Sequence, residues 1–264
     1  MFKRGSSKKA KPASTNSGEE ENISFWQQIL PHINELRQRL FKALLAMIVG
    51  VIASLSFGEY LIEILARPIG GTDKLISIEV TENVAVFMRV SLLSGFILAL
   101  PIILYQALAF IEPGLTASEM RRLKISIPFA TILFLVGVAF AYFVMLPAAL
   151  PFLISFIGIT TTPRLANYYS FVTNLLFWIG VSFETPLVVY ILARMRIVSA
   201  ATLARGWRFA IVIIAVIAAF VTPTPDPINM GLLMIPLLVL YLLSVLLAKI
   251  AVRDEEPEQA RTEG

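Results

Sequence analysis

No cysteine occurs among the 264 residues, and histidine occurs once, as His32. Disulfide frameworks, thiol catalysis and Cys/His zinc sites are therefore excluded, and Ser-His-Asp hydrolysis has no candidate base apart from His32 itself. No metal ligand set is predicted and no cofactor is expected. Charge is scarce as well: 15% of residues are charged and 57% apolar, with a mean hydropathy of +0.79. A soluble domain carries roughly 25% charged residues, so this is the composition of a multi-span membrane protein. The formal net charge of +4 is placed as membrane topology places it, between apolar runs and at the termini, and implies no nucleic-acid partner.

The few charges divide the chain. Residues 1–22 contain only two large apolar side chains, Met1 and Phe2, and read as a disordered basic and acidic tail, too polar to offset the entropy of ordering. From there a membrane domain is predicted over 23–250, followed by a short cytoplasmic tail over 251–264. Its first stretch, ISFWQQILPHINELRQRL, puts Phe25, Ile29, Ile33, Leu36 and Leu40 on one helical stripe with His32, Glu35 and Arg39 beside it. This predicts an amphipathic helix along the membrane surface that runs into the first span. Six apolar segments follow, at about 40–57, 84–111, 125–152, 168–193, 207–221 and 230–248. A hydrocarbon core of ~30 Å needs about 20 residues, so the last two are short. The third apolar run continues to Ile159, and Pro147 and Pro151 are expected to end its membrane part and begin a helical cap on the far side. No small-residue cleavage site follows the first apolar run, so a cleaved signal peptide is not expected.

Of the lysines and arginines, 18 fall on one side of this pattern: in the N-terminal region, around Arg121 to Lys124, around Arg194 to Arg208, and at the C-terminus. Only Arg67, Lys74, Arg89 and Arg164 fall on the other. The positive-inside rule then puts both termini in the cytoplasm and the chain in the plasma membrane. The fold class is all-α: a polytopic membrane protein of six kinked transmembrane helices forming a concave bundle. The kinks are expected from Pro101, Pro128, Pro147, Pro151, Pro186 and Pro236, which recur in or at the ends of the spans.

Three sets of polar residues carry the chemistry. Glu184 lies in an otherwise uncharged span, where a carboxylate costs roughly 2.5 to 3.5 kcal/mol to insert. It is either a protonated structural group or an intramembrane contact for a partner helix or a proton-linked step. Glu35 and Glu119 both belong at the cytoplasmic face. Each has a local partner available, Arg39 at i,i+4 and Arg122 at i,i+3, for a gain of only a few tenths of a kcal/mol. Alternatively the two carboxylates form a receptor for guanidinium groups, since each accepts an arginine fork bidentately. Asp226, in TPTPDPINM, is a periplasmic turn residue with a possible place at a cavity edge.

The stretches HINELRQRL at 32–40, ALPIILYQALAFIEPGL at 99–115, the downstream SEMRR, VGVAFAYFVMLPAAL at 136–150 and GVSFETPL at 180–187 resemble TatC, the multi-span receptor component of the Sec-independent twin-arginine protein translocase. The resemblance covers roughly residues 25–250, in order and with matching spacing. Pro31, Met120 and Met230 depart from the residues common in that family. The resemblance implies a cup-shaped receptor, not an enzyme, that binds twin-arginine signal peptides of folded cargo. It implies TatA- and TatB-type single-span partners, other copies of itself, membrane lipid around it, and export driven by the proton gradient. It places the signal's arginines at Glu35 and Glu119, assisted by the loop around Phe110, Pro113 and Arg121, and puts Glu184 on the concave face. The alternative from another class is a small proton-coupled secondary transporter using Glu184, but the two halves show no self-similarity of the kind such folds carry.

Overall fold

A computed structural model describes residues 17–111, 117–155, 161–222 and 227–253, and the statements below concern these residues. Their course is helical: α1 (Ser17–Leu55), α2 (Gly58–Ala66), α3 (Glu82–Ile111), α4 (Ala117–Phe140), α5 (Leu146–Ile154), α6 (Leu165–Phe183), α7 (Thr185–Arg194), α8 (Ala200–Arg205), α9 (Trp207–Val221) and α10 (Pro227–Arg253). Extended pairing among them is limited to one parallel bridge, Ile76 with Arg164. Helices dominate because hydrocarbon offers no water to backbone N–H and C=O groups, and a helix satisfies them within the segment.

Five stretches are long and apolar enough to cross a bilayer: His32–Leu55, Glu82–Phe110, Ile127–Ile154, Leu165–Arg194 and Met230–Ala251. The sixth apolar helix, Trp207–Val221, has 15 residues. At ~1.5 Å per residue it reaches about 22 Å, short of a full core.

The helices differ from the pattern reading in one place. The amphipathic stretch and the first span are one uninterrupted helix of 39 residues that begins at Ser17, inside the segment whose composition reads as tail. The third apolar run stays helical across its prolines. Its helix widens to a π turn over Ala141–Met145 and continues through Pro147 and Pro151 to Ile154. Pro147 lacks an N–H and its ring would press on the carbonyl four residues back; the wider π turn just before it makes room, so the chain stays helical.

Helix α6 is the hub. Nine of its 19 residues are buried, including Tyr169, Val172, Leu175 and Ile179, and it packs against α3, α4, α9 and α10. Water does not drive such contacts within a bilayer, so close approach of backbones must supply the dispersion energy. Glycines provide it at two crossings. A Cβ on Gly50 of α1 would lie 2.4 Å from the carbonyl oxygen of Gly95 in α3, and one on Gly95 would lie 2.6 Å from Cα of Val51. Where α4 meets α6, a Cβ on Gly180 would lie 2.7 Å from the Phe134 ring, which is itself fully buried.

The ends of the short helix α2 are fastened by tyrosines. A helix leaves its last four carbonyls without intrahelical donors. Here Tyr142 donates to the Ile64 carbonyl and Tyr168 to that of Leu65, each at 2.7 Å, while Tyr169 donates to Ile62 at 2.7 Å. A second clasp lies alongside. Arg164 donates from Nη2 to Glu79 at 2.7 Å and from Nε to the buried carboxylate of Glu82, so the two glutamates hold its guanidinium above the usual arginine range. Ile76 and Leu165 add backbone bonds of 3.1 and 2.9 Å across the same junction. The N-termini of α3 and α6 are thereby tied together.

Two substitutions test this packing. Gly95→Leu should cost about 1 to 3 kcal/mol or more by forcing α1 away from α3, and Tyr168→Phe about 0.5 to 1.5 kcal/mol by removing one hydrogen bond to a helix-end carbonyl. Unfolding of the purified protein in mixed micelles reads both. Wild-type stability of the Gly95 variant would refute the close crossing.

Candidate functional site

The polar end of α1 is where the structure gathers the sequence-predicted residues. His32, Glu35 and Arg39 fall at i, i+3 and i+7, which brings them to one side of the helix. Helix α3 runs antiparallel to α1 and returns Phe110 to the same end, where its ring lies 6.2 Å from that of His32 at a tilt of 59°. Glu35 and Phe110, separated by most of two spans in sequence, thus share one site because the Gly50–Gly95 contact sets the register of the two helices.

The Glu35 carboxylate is engaged. Arg39 donates to its Oε1 from Nε at 2.9 Å and from Nη2 at 2.5 Å, with side chains 21% and 29% exposed for Arg39 and Glu35. The local i,i+4 pair is therefore formed, with two guanidinium donors on one carboxylate oxygen. One turn along α3 from Phe110, Gln106 buries its side-chain carbonyl oxygen with no hydrogen-bond donor among the described residues. Pattern reading missed Gln106, because an amide in an apolar run carries no charge to single it out.

The other members of the predicted set are described only in part. Glu119 and Arg121 belong to the first turns of α4, and their side chains lie outside the described residues, as do Pro113 and Asp226 altogether. The structure thus brings Phe110 to His32, one turn of α1 before Glu35, while the approach of Glu119 to Glu35 falls outside the described residues.

Glu184 occupies a break in a membrane helix. Helix α6 ends at Phe183 and α7 begins at Thr185, with Glu184 the shared cap residue at φ −72° and ψ −20°. The cause is Pro186, which lacks an N–H and would press on the carbonyl of Ser182 four residues back. The chain resets around it: Glu184 N–H donates to Val181 at 3.1 Å, and Val188 N–H donates to Glu184 at 2.9 Å. The carboxyl Oε1 is buried and has no hydrogen-bond partner among the described residues. Beside the break, Phe129 and Leu133 of α4, Pro186 and Leu187 of α7, and Leu243 of α10 line an apolar groove of about 370 Å³. A lone carboxyl with one unpaired oxygen, next to a helix break and an apolar groove, suits contact with another membrane segment better than acid-base chemistry on a polar substrate. Among the described residues no three His, Asp or Glu side chains cluster as a metal site would require.

The family model described as Sec-independent protein translocase protein (TatC) matches residues 31–236. The TatC protein of Carboxydothermus hydrogenoformans is 36% identical over 224 residues, covering 84% of this chain and 92% of the relative. That of Aquifex aeolicus is 38% identical over 235 residues, covering 86% and 97%. A crystal structure of the twin arginine translocase receptor TatC superposes with a TM-score of 0.75 at 36% identity, over 84% of this chain and 99% of that one. The shared fold and sequence over nearly the whole length of these relatives have one reading: the chain belongs to the TatC family and is a multi-pass membrane component of the Sec-independent protein translocase.

Proposed function

We propose that this subunit is the receptor for twin-arginine signal peptides of folded cargo, and that Glu35 and Glu119 accept the guanidinium groups of the two arginines at the cytoplasmic face. The observation that carries the proposal is the fork already bound at Glu35, where one arginine places two N–H donors within 2.9 Å of one carboxylate oxygen. A planar guanidinium meets a carboxylate with two parallel donors, whereas a lysine ammonium acts as a single point charge. In this reading Phe110, packed on His32 one turn before the acid, supplies an apolar wall, and Pro113 and Arg121 are assigned to assist binding. Eighteen of 22 basic residues on one side of the apolar segments support cytoplasmic termini and a cytoplasmic site. Six crossings follow if α9 spans with local thinning of the bilayer. The domain limits are then a tail over 1–22, the membrane domain over 23–250 and a second tail over 251–264.

Glu184 is assigned to assembly or transport with TatA- and TatB-type single-span proteins and with other copies of the chain. Asp226 is assigned to the periplasmic turn before α10. Binding and gathering of partners, rather than bond chemistry, is the work of this subunit, and the proton gradient drives the export step. The transporter alternative is not retained, since the relatives are protein translocase components along nearly their entire length.

Two measurements test these assignments. Glu35→Gln and Glu119→Gln should each weaken binding of a twin-arginine peptide by about 1.5 to 3 kcal/mol, or roughly ten- to a hundredfold; equal affinity of the wild type for a twin-lysine peptide would sink the receptor assignment. Glu184→Ala should accumulate in the membrane at least as well as wild type, because an expensive group has gone, while cargo export falls. Loss of accumulation with unchanged export per molecule would make Glu184 a structural residue instead.

A further inference from the structure

The register of the α1–α3 crossing puts Arg39 and Gln106 at the same level of the two helices. Arg39 lies about three helical turns from Gly50, and Gln106 about three turns from Gly95, so both return to the faces that meet at the glycine contact. The His32–Phe110 ring contact fixes the same register from the other end, and puts Gln106 opposite the turn from Leu36 to Arg39. Two features of this level remain unexplained by the receptor itself. Both donors of Arg39 go to the single oxygen Oε1 of Glu35, which no other described residue engages. The carbonyl oxygen of Gln106 is buried without a donor among the described residues, and a buried acceptor that stays unpaired calls for an explanation.

We propose that Arg39 is an internal stand-in for the cargo arginine and sets the preference for arginine over lysine. This deepens the receptor reading and rests on it. In the resting protein the Arg39 fork occupies Glu35. A partly exposed i,i+4 pair is weak and exchanges readily, so an incoming guanidinium with equivalent donors displaces it. The released Arg39 then turns to the Gln106 carbonyl, which supplies the acceptor that the guanidinium has lost. A lysine ammonium offers no fork and competes poorly against one that is already seated. Discrimination thus comes from what the ligand must displace as well as from what it meets, an instance of specificity built on competition.

The arrangement also explains why the carboxylate is kept near neutral electrostatic balance before cargo arrives. With Arg39 in place, Glu35 is not a bare anion at the edge of the hydrocarbon, and stray monovalent cations or basic surface segments gain little there. Gln106 is suited to the second position because an amide accepts from arginine without adding charge to the buried side.

The test uses the full-length protein in lipid nanodiscs and fluorescent twin-arginine and twin-lysine signal peptides. Arg39→Gln is expected to tighten twin-arginine binding by about two- to tenfold, and twin-lysine binding by more, so that the arginine-to-lysine ratio falls. Gln106→Leu should weaken twin-arginine binding by about two- to tenfold in the wild-type background and have no effect once Arg39 is Gln, a coupling that a purely structural amide would not give. Arg39→Lys, which keeps the charge and loses the fork, should fall between wild type and Arg39→Gln, and serves if the Gln variant does not accumulate. Weaker twin-arginine binding by either Arg39 variant, or an unchanged arginine-to-lysine ratio, would overturn the proposal while Glu35→Gln still weakens binding roughly ten- to a hundredfold. If Glu35→Gln binds like wild type, the receptor reading itself has failed.

Discussion

In hydrocarbon an unpaired backbone amide or carbonyl has no water to turn to, and this one constraint organises the molecule. It makes the described chain helical almost throughout, and it dictates what happens where a helix is interrupted. The π turn over Ala141–Met145 keeps the third apolar segment helical through Pro147 instead of exposing carbonyls to lipid. At Pro186 the chain resets through Glu184 with backbone bonds on both sides of the break. The terminal carbonyls of α2 are met by the hydroxyls of Tyr142 and Tyr168, which belong to two other helices. Satisfaction of polar backbone thus doubles as tertiary attachment.

A second consequence concerns packing. Lipid tails are as apolar as leucine, so helix association in a bilayer depends on shape more than on burial. The glycine contacts at Gly50–Gly95 and at Gly180–Phe134 bring helices close where larger side chains would hold them apart. They also fix register, and register decides function here. Sliding α3 by one residue against α1 would rotate Phe110 away from His32 and Gln106 away from the level of Arg39.

Against this background the polar groups that remain are informative because each is costly. Arg164 with Glu79 and Glu82 is paired across two segments and holds two helix starts together. At the opposite end of the bundle, Glu35 with Arg39 is a partly exposed pair within one helix, the weaker kind. Glu184 is the extreme case, with one carboxyl oxygen unpaired at a helix break. Pairing is thus firmest where it joins two helices and loosest where it stays within one.

Composition and periodicity by themselves determined the class of the protein, the positions of its apolar segments and the residues worth weighing. They succeed because hydrophobic thickness sets segment length and because charges are excluded from spans, so Glu184, Glu35 and the basic clusters stand out in one dimension. The short matching motifs also carried the family. What they left open was decided by contacts between segments far apart in sequence. Pattern alone left the choice between a local Glu35–Arg39 pair and a receptor carboxylate; the fold shows the pair formed, beside a Phe110 delivered by another helix. The tyrosine clasp, the Arg164 junction and the buried carbonyl of Gln106 were illegible for the same reason. An uncharged polar residue in an apolar run looks the same whether it faces a partner, a neighbouring carbonyl or nothing, and only the register of packed helices distinguishes these.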